Sequence, residues 1–502
     1  MNIKDLIKII GLGKTRDFSA LAKLENFEIK GISCNSKEVK KDFVFVAIKG
    51  VREDGNMFID EAIDRGAKAV IVSSSVVRRP SSVKIPFIKV KDTRKALAKL
   101  ASVFSGNPSL KLKVVGVTGT NGKTTITYLI EALLSEARFS PSVIGTINCR
   151  FNGKVFSSKN TTPGPLELQS LLARTLKENV DYAIMEASSH ALDQDRTGGI
   201  NFHSAIFTNL TQDHLDYHKT MDNYFSAKAK LFKNIDSSSF VVINNDDAYG
   251  RKIPALTRAG VITYGIKNSA HVRARDIRFS PSRVEFMLEC SKGKIKISSS
   301  LIGMHNVYNI LAAAAWGINE GIDLSTIEGA IAKFSSVPGR LERINARKGF
   351  SIFVDYAHTE DALRNVIGAL RQVLEGSGSA SFGVKKKIIV VFGCGGERDK
   401  TKRPLMGRVV SELSDFAIIC NDNPRSEFPL EIIEDIKRGI SKDNYSVIPD
   451  RLEAIRKSLF MAKPGDIVLV AGKGHENYQV LNDKTIHFDD REAIRECLKS
   501  MN

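Results

Sequence analysis

The stretch Gly116-Val-Thr-Gly-Thr-Asn-Gly-Lys-Thr-Thr125 carries the plainest chemistry in the chain. Its glycines let consecutive backbone N–H groups turn toward one anion, and a helix opening behind them adds partial positive charge. Lys123 is long enough to reach β- and γ-phosphates, and the Thr124 hydroxyl suits Mg²⁺. Gly119, Thr120, Asn121, Gly122, Lys123, Thr124 and Thr125 are therefore candidate nucleotide-binding residues. An ordinary strand–helix turn has no need of the Gly-Lys-Thr run. The spacing departs from the strict phosphate loop, because position 117, where its first glycine would stand, is Val.

Further candidates lie downstream. Val180-Asp-Tyr-Ala-Ile-Met-Glu186 reads as a strand ending in an acid. Many surface strands end in Glu, but beside a phosphate loop such a carboxylate can hold Mg²⁺. In the following Ala187–Arg196 segment, Ser188, Gln194 and Arg196 suit a ligand wall. His214 and His218 stand four apart, as in H-E-x-x-H zinc sites, yet Leu215 replaces the glutamate and argues against a zinc protease. His214 suits a second Mg²⁺, and His218 reads as a buried structural histidine. Tyr224–Phe232 is a helical stretch whose Lys228 and Lys230 read, by themselves, as a solvated face.

The segment Cys420-Asn-Asp-Asn-Pro-Arg-Ser-Glu-Phe428 follows an apolar run, Phe416–Cys420, that reads as a buried strand. A turn uses Asp, Asn and Pro, but has no need of Arg425. A guanidinium binds a carboxylate through a planar fork, and Pro424 fixes the backbone that aims it. Gly393-Cys-Gly-Gly396 falls short of the G-x-G-x-x-G dinucleotide pattern, which argues against a dehydrogenase. Cys394 has no partner base in the sequence and reads as a small buried residue.

The elements that must position these residues alternate between strand and helix. Strands are expected at Phe43–Ile48, Ala67–Ser73, Val114–Val117, Lys387–Phe392 and Ile467–Ala471, and helices at Phe58–Arg65, Lys123–Glu136 and Val307–Glu320. Val284–Cys290 and Lys294–Ile297 flank Ser291-Lys-Gly293 as a hairpin. Arg78–Val83 and Glu375–Ser381 read as loops. Such alternation predicts mainly parallel sheets with ligands at strand C-termini.

A chain of 502 residues exceeds one compact core and suggests roughly three domains. Six scattered cysteines without a C-x-x-C pair argue against a zinc ribbon or disulfide scaffold and for a reducing compartment. The N-terminus lacks a signal-peptide pattern, and no apolar run approaches the ~18 residues of a membrane span. A cytoplasmic protein without membrane insertion is expected. The net charge of +18, from 74 Lys+Arg against 56 Asp+Glu, is spread along the chain. It fits solvated lysine faces better than a nucleic-acid surface, since no aromatic-basic RNA motif accompanies it.

Taken in order, GTNGKTT, EASSH, NLTQDHLDYH and AKAKLF resemble the Mur ligases, within the superfamily that includes folylpolyglutamate synthases. The resemblance covers nearly the whole chain. It implies an α/β fold of three domains. These are a small N-terminal UDP-binding domain (1–108), a central P-loop ATPase-type parallel-sheet domain (109–335) and a C-terminal Rossmann-like amino-acid-binding domain (336–502). It implies ATP and two Mg²⁺ ions as cofactors. Lys228 matches the family's carbamylated lysine, whose CO₂-derived carboxylate joins Thr124, Glu186 and His214 as metal ligands. Lys123, Glu186, His214 and Lys228 are then the catalytic set. Gly303-Met-His-Asn-Val-Tyr-Asn309 resembles a nucleotide-contacting segment, with His305, Asn306 and Asn309 as candidates, although Asn306 also suits a helix N-cap. Arg340 in Pro338–Arg343, and Asp355 and His358 in Asp355–Glu360, match further nucleotide-binding signatures.

For the second substrate, Asn160, Thr161 and Thr162 match a substrate-binding Thr-Thr segment, alongside Ser188, Gln194 and Arg196. Near the N-terminus the family carries Asp-Ser-Arg, whereas this chain has Asn35-Ser36-Lys37, so Ser36 alone is retained. Gly50–Gly55 fits the family pattern better. Asp422-Asn423-Pro424-Arg425 resembles the signature of members that add meso-diaminopimelate, and Arg398, Gly472 and Glu476 extend the match. The implied reaction is ATP-dependent amide formation between meso-diaminopimelate and the D-glutamate of UDP-N-acetylmuramoyl-L-alanyl-D-glutamate (the UDP-MurNAc-dipeptide). The enzyme is expected to be a monomer with small-molecule substrates and no nucleic acid. Alternatives are the same reaction with L-lysine and, more distantly, a nucleic-acid-stimulated P-loop ATPase. A folylpolyglutamate synthase would leave the N-terminal domain and Asp422–Arg425 without a role.

Overall fold

The computed structural model describes residues 1–11, 26–50, 53–75, 85–158, 160–280, 282–345, 348–376 and 386–501. The expected loop at 78–83, most of that at 375–381, and positions 51 and 52 of the Gly50–Gly55 segment lie outside the described residues. The chain forms two compact units. The first comprises Met1–Gly116, Phe139–Ala205 and Ala227–Ser239, and the second Val117–Arg138, Ile206–Ser226 and Phe240–Asn502.

In the first unit, strands Gly31–Ser33, Phe43–Val46, Ala67–Ser73 and Phe87–Val90 lie side by side, all parallel. Successive side chains enter different cores, as the two-residue period of a strand requires. Val44, Val46, Ala69 and Ile71 join Leu6 and Leu97 on one face, and Phe45, Ala47, Val70 and Val72 join Ile59 and Ala62 on the other. Both faces are covered, which explains the near-continuous apolar runs. A second set in this unit runs parallel from Pro141–Ile144 to Tyr182–Glu186, with Asn148–Phe151 and Lys154–Ser157 added antiparallel.

The second unit holds a six-stranded sheet in the order Glu342–Ile344, Ser351–Asp355, Ile467–Ala471, Ile388–Phe392, Phe416–Ile419, Tyr445–Val447. Every pairing except the first is parallel. Ile388, Val390 and Phe392 face one core while Ile389 and Val391 face the other. Parallel strands place all their C-terminal ends at one edge, where the loops beginning at Gly393, Cys420 and Gly472 emerge together. The unit also carries the parallel strands Phe240–Asn244 and Gly260–Gly265, continued by Val272–Phe279.

The expected elements are present with shifted ends. The strand from Phe43 stops at Val46, and a 3₁₀ turn at Gly55–Phe58 delays the next helix to Ile59–Asp64. The hairpin pairs Cys290 with Gly293, so the turn itself is Ser291-Lys292. The alanine-rich helix starts at Met304, not Val307. Its N-cap is Gly303, which corrects the N-cap reading of Asn306: that residue lies inside the helix and donates through Nδ2 to the Ile302 carbonyl at 2.9 Å. Among the described residues no helix is long and apolar enough to cross a membrane.

Candidate active site

Strand Lys113–Thr118 feeds a turn, and helix Lys123–Glu136 opens at the expected lysine. The turn is glycine-dependent at two points. Gly119 has φ +149°, and a Cβ there would stand 1.8 Å from Thr208 Oγ1; Gly122 has φ +88° and would meet Asn309 Oδ1 at 2.4 Å. The loop is held from outside by the segment after Phe207. Asn209 accepts from the Thr120 N–H (2.8 Å) and the Asn121 N–H (3.0 Å), and the Thr208 hydroxyl donates to the Asn121 carbonyl at 2.6 Å. The Tyr224 hydroxyl lies 3.2 Å from Thr120 Oγ1, which also accepts from the Thr211 N–H at 3.1 Å. Lys123 Nζ donates to the Gly119 and Thr120 carbonyls at 3.0 and 2.8 Å. Thr208, Asn209 and Tyr224 were given no role by sequence reasoning, although their polar run after an apolar strand was visible.

Residues from far along the chain complete this wall within the second unit. Arg340 donates to Thr124 Oγ1 at 3.3 Å and lies over the Tyr356 ring at 4.4 Å. Asp361 accepts from Asn121 Nδ2 at 2.7 Å and from the Thr211 hydroxyl at 3.3 Å. Asn309 donates to Asn306 Oδ1 at 3.0 Å, confirming their shared helix face. Asp355 ends its strand and accepts from the Leu341 and Ala357 N–H groups at 2.6 and 2.7 Å. Burial raises its pKa against the opposing pull of Arg340. The His358 ring nitrogen Nδ1 donates to the Tyr356 carbonyl at 2.8 Å, and burial holds that imidazole neutral, with a pKa of about 4.

In the same unit, His214 takes a left-handed backbone with φ +54° and stands 3.4 Å from Asp213. Burial pushes the Asp213 carboxyl up, but His214, His358 and Lys402 together hold it at about 2. His218 is buried between Tyr217 and Tyr224, as the structural reading expected.

In the first unit, Glu186 ends its strand 1% exposed. Its two carboxylate oxygens accept from the Thr146 N–H at 2.8 Å and the Thr146 hydroxyl at 3.0 Å. A Cβ at Gly145 would meet Glu186 Oε1 at 2.5 Å, so glycine clears the space. Thr161 lies 3.1 Å from Thr146, and Thr162 donates to the Glu186 carbonyl at 2.7 Å. The Ser188 N–H donates to Thr162 Oγ1 at 3.0 Å, and Arg196 donates to Gln194 Oε1 at 2.8 Å and to the Thr162 carbonyl at 3.1 Å. Thr161, Thr162, Ser188, Gln194 and Arg196 thus form one connected wall around Glu186, with Asn160 exposed at its edge. Thr146 was missed, since a lone threonine after a strand carries no signal. Ser36 stands apart from that wall, its hydroxyl donating to Glu61 at 2.7 Å beneath a short turn capped by Asn35.

The two lysines of Ala227-Lys-Ala-Lys230 differ sharply. Lys230 is ion-paired with Asp193 at 3.0 Å, whereas Lys228 is only 1% exposed. A solvated helix face is excluded for Lys228. Among the described residues, no three His, Cys, Asp or Glu side chains cluster as a ready-made metal site. The Thr124 hydroxyl in one unit and the Glu186 carboxylate in the other are each oxygen donors of the kind Mg²⁺ accepts.

At the edge of the six-stranded sheet, three loops meet. Arg425 has φ +53°, and its backbone is clamped to the Val480 carbonyl (3.1 Å) and the Asn482 N–H (2.8 Å). Its guanidinium donates to the Gly396 carbonyl at 2.7 Å. Burial and the neighbouring Arg398 charge lower its pKa. Asn423 donates to Glu476 at 3.0 Å. Glu476 is pushed upward by burial and by Asp422. Lys473 is fully buried, 3.3 Å from both Glu476 and Asn423 Oδ1. The Oδ1 of Asp422 is buried without a hydrogen-bond partner, the Lys473 ammonium standing 3.6 Å away. Gly472 takes φ +111° at the mouth of its loop. Asp422, Asn423, Pro424, Arg425, Gly472 and Glu476 are therefore brought together, with Arg398 beside them. Lys473 was missed, though a lysine one glycine beyond the apolar strand Ile467–Ala471 is its signal. Cys394 is buried and packs on Met406, its thiol pushed up to about 12 by burial, so it is no nucleophile.

Comparison with known proteins shows the family. Residues 28–105 match the Mur ligase family catalytic domain, 117–317 the Mur ligase middle domain, and 339–474 the Mur ligase glutamate ligase domain. A protein of Clostridium tetani named UDP-N-acetylmuramoyl-L-alanyl-D-glutamate–2,6-diaminopimelate ligase is 43% identical over 100% of both chains. One of the same name from Clostridium botulinum is 44% identical over 94% of this chain and 96% of its own. A solved structure bearing that name superposes with a TM-score of 0.65 at 33% identity, covering 94% of this chain and 95% of its own. The chain belongs to the Mur ligase family of ATP-dependent ligases, with its three-domain α/β architecture.

Proposed function

We propose that this ligase joins meso-diaminopimelate to the D-glutamate γ-carboxylate of UDP-N-acetylmuramoyl-L-alanyl-D-glutamate, a step of peptidoglycan precursor synthesis, at the expense of ATP. The observation that carries the reading is the cationic pair at the sheet edge. Arg425, locked in a left-handed conformation, stands beside Arg398, with Glu476 across the same loops. Meso-diaminopimelate exceeds lysine by one distal carboxylate, which the guanidinium fork of Arg425 binds while Glu476 takes an ammonium. Lysine would leave that arginine without its anion.

A carboxylate is a poor electrophile, so its γ-oxygen first takes the γ-phosphoryl of ATP, releasing ADP and leaving an acyl phosphate. The amine then attacks the acyl carbon, loses a proton, and expels inorganic phosphate. Gly119–Thr125 bind the nucleotide phosphates, with Lys123 offsetting developing charge and Arg340 approaching from beyond Thr124. Asn306, Asn309, Asp355 and His358 shape the surrounding wall. Asn160, Thr161, Thr162, Ser188, Gln194, Arg196 and Ser36 hold the UDP-dipeptide. Thr124, Glu186, His214 and Lys228, as a carbamate, would hold Mg²⁺, which would supply charge neutralisation for phosphoryl transfer. Burial of Lys228 supports its modification, since a carbamate needs a site shielded from competing solvent.

The domain limits 1–108, 109–335 and 336–502, action as a cytoplasmic monomer and independence from nucleic acid belong to the same reading. The three family matches fall within those limits. The test is a competition between equal meso-diaminopimelate and L-lysine, with a heavy-oxygen label on the γ-carboxylate. The expected product is the diaminopimelate adduct alone, with label in the released phosphate. A dominant lysine adduct, or unlabelled phosphate, contradicts the reading.

A further inference from the structure

Helix Arg451–Met461 opens with a side chain outside the binding walls already described. Arg451 and Asp490 are both 0% exposed. Arg451 donates through Nε and Nη2 to the two Asp490 carboxylate oxygens, each at 2.8 Å. The same Nη2 donates to the Ala471 carbonyl at 2.9 Å. Nη1 points another way, to the Asn421 carbonyl at 3.4 Å and Cys420 Sγ at 3.5 Å.

Those partners are not arbitrary. Ala471 is the last residue of its strand, and the Gly472–Glu476 loop begins at the next position. Cys420 and Asn421 connect strand Phe416–Ile419 to Asp422–Arg425. Strand Ile388–Phe392, which leads to Arg398, lies between those two strands in the sheet. One guanidinium therefore ties together the ends of the two strands that flank Ile388–Phe392. A buried ion pair adds little net stability over apolar residues of similar volume. What an arginine adds is a planar fork with fixed donor directions.

We propose that Arg451, oriented by Asp490, is a positioning residue of the amino-acid site. It fixes the separation between the Asp422–Arg425 and Gly472–Glu476 loops, and so the spacing at which Arg425 and Glu476 grip the two ends of one zwitterionic group. The inference rests on the reading of those loops as the amino-acid pocket. Lysine at this position keeps the charge beside Asp490 but cannot serve Asp490, Ala471 and Asn421 in their separate directions.

Steady-state kinetics of Arg451→Lys and of the apolar double variant Arg451→Met/Asp490→Leu test it, with thermal unfolding recorded alongside. The expected result is a rise of about tenfold or more in KM for meso-diaminopimelate, with KM for ATP and UDP-dipeptide within about twofold. Discrimination against L-lysine narrows in parallel. Folded variants with unchanged amino-acid KM, or with all three KM values shifted together, overturn the inference. Should the wild-type enzyme prefer lysine, the substrate reading falls instead. The positioning role is then read from the KM for lysine in the same variants.

Discussion

At the scale of single residues, burial separates side chains that composition treats alike. Lys228 and Lys230 sit two positions apart on one helix, yet Lys230 reaches Asp193 while Lys228 is buried. Lys228→Ala is expected to lower kcat by about 10²–10³-fold, with partial rescue by a short carboxylic acid. A fully active variant would remove Lys228 from the catalytic set. Arg425→Lys keeps the charge but loses the fork. It should weaken meso-diaminopimelate by about 1.5–3 kcal/mol in KM while leaving the KM for ATP in place. Equal affinity in the variant and the wild type would move the carboxylate-binding role elsewhere. Arg425 was legible because a turn has no use for it. Asp361 was not, since its partner is remote: Asn121 and Asp361 are 240 positions apart. No local pattern encodes such a contact.

Elements set what the residues can do. The phosphate loop works because strand Lys113–Thr118 and helix Lys123–Glu136 leave only Gly119–Gly122 to reverse the chain. Both ends of that helix were legible from the Gly-Lys-Thr run and the apolar period behind it. The loop's outer support, Thr208–Thr211, was not, because a polar segment after a strand suits a solvent loop equally well. Gly119→Ala combines a left-handed φ with a Cβ 1.8 Å from Thr208 Oγ1. It is expected to cost about 3 kcal/mol or more, or to displace Thr208 and its bond to Asn121. Denaturant unfolding together with ATP affinity checks this, and a variant unchanged in both would show that the turn tolerates a side chain. The helix beginning at Met304 illustrates the opposite difficulty. Asn306 has the chemistry of an N-cap, but Gly303 with φ +94° takes that position and leaves Asn306 free to meet Asn309. The N-cap reading of Asn306 was therefore wrong in both residue type and place, three positions too late.

On the scale of the whole molecule, three half-buried histidines make stability depend on pH. Burial lowers His305 and His358 from 6.5 to about 4, and His475 to about 3. At these three positions the unfolded chain therefore binds more protons than the folded one below pH 6.5, and their contribution to stability falls as pH drops through the window from 6.5 to about 4. Thermal unfolding midpoints measured across that window should decline on acidification, and a flat profile would contradict neutral buried imidazoles. The alternating faces of strands such as Ile388–Phe392 made the layered fold readable, because both sides of each sheet are buried. How loops from separate strands converge was readable only through the family resemblance, since convergence is a property of sheet order. On the function proposed above, this ATP-dependent ligase reads the distal carboxylate of its amino acid. Phosphate release with ATP, Mg²⁺ and the UDP-dipeptide, compared between meso-diaminopimelate and L-lysine, tests it most directly. The account predicts turnover with meso-diaminopimelate and little with lysine. Equal or faster turnover with lysine would contradict it.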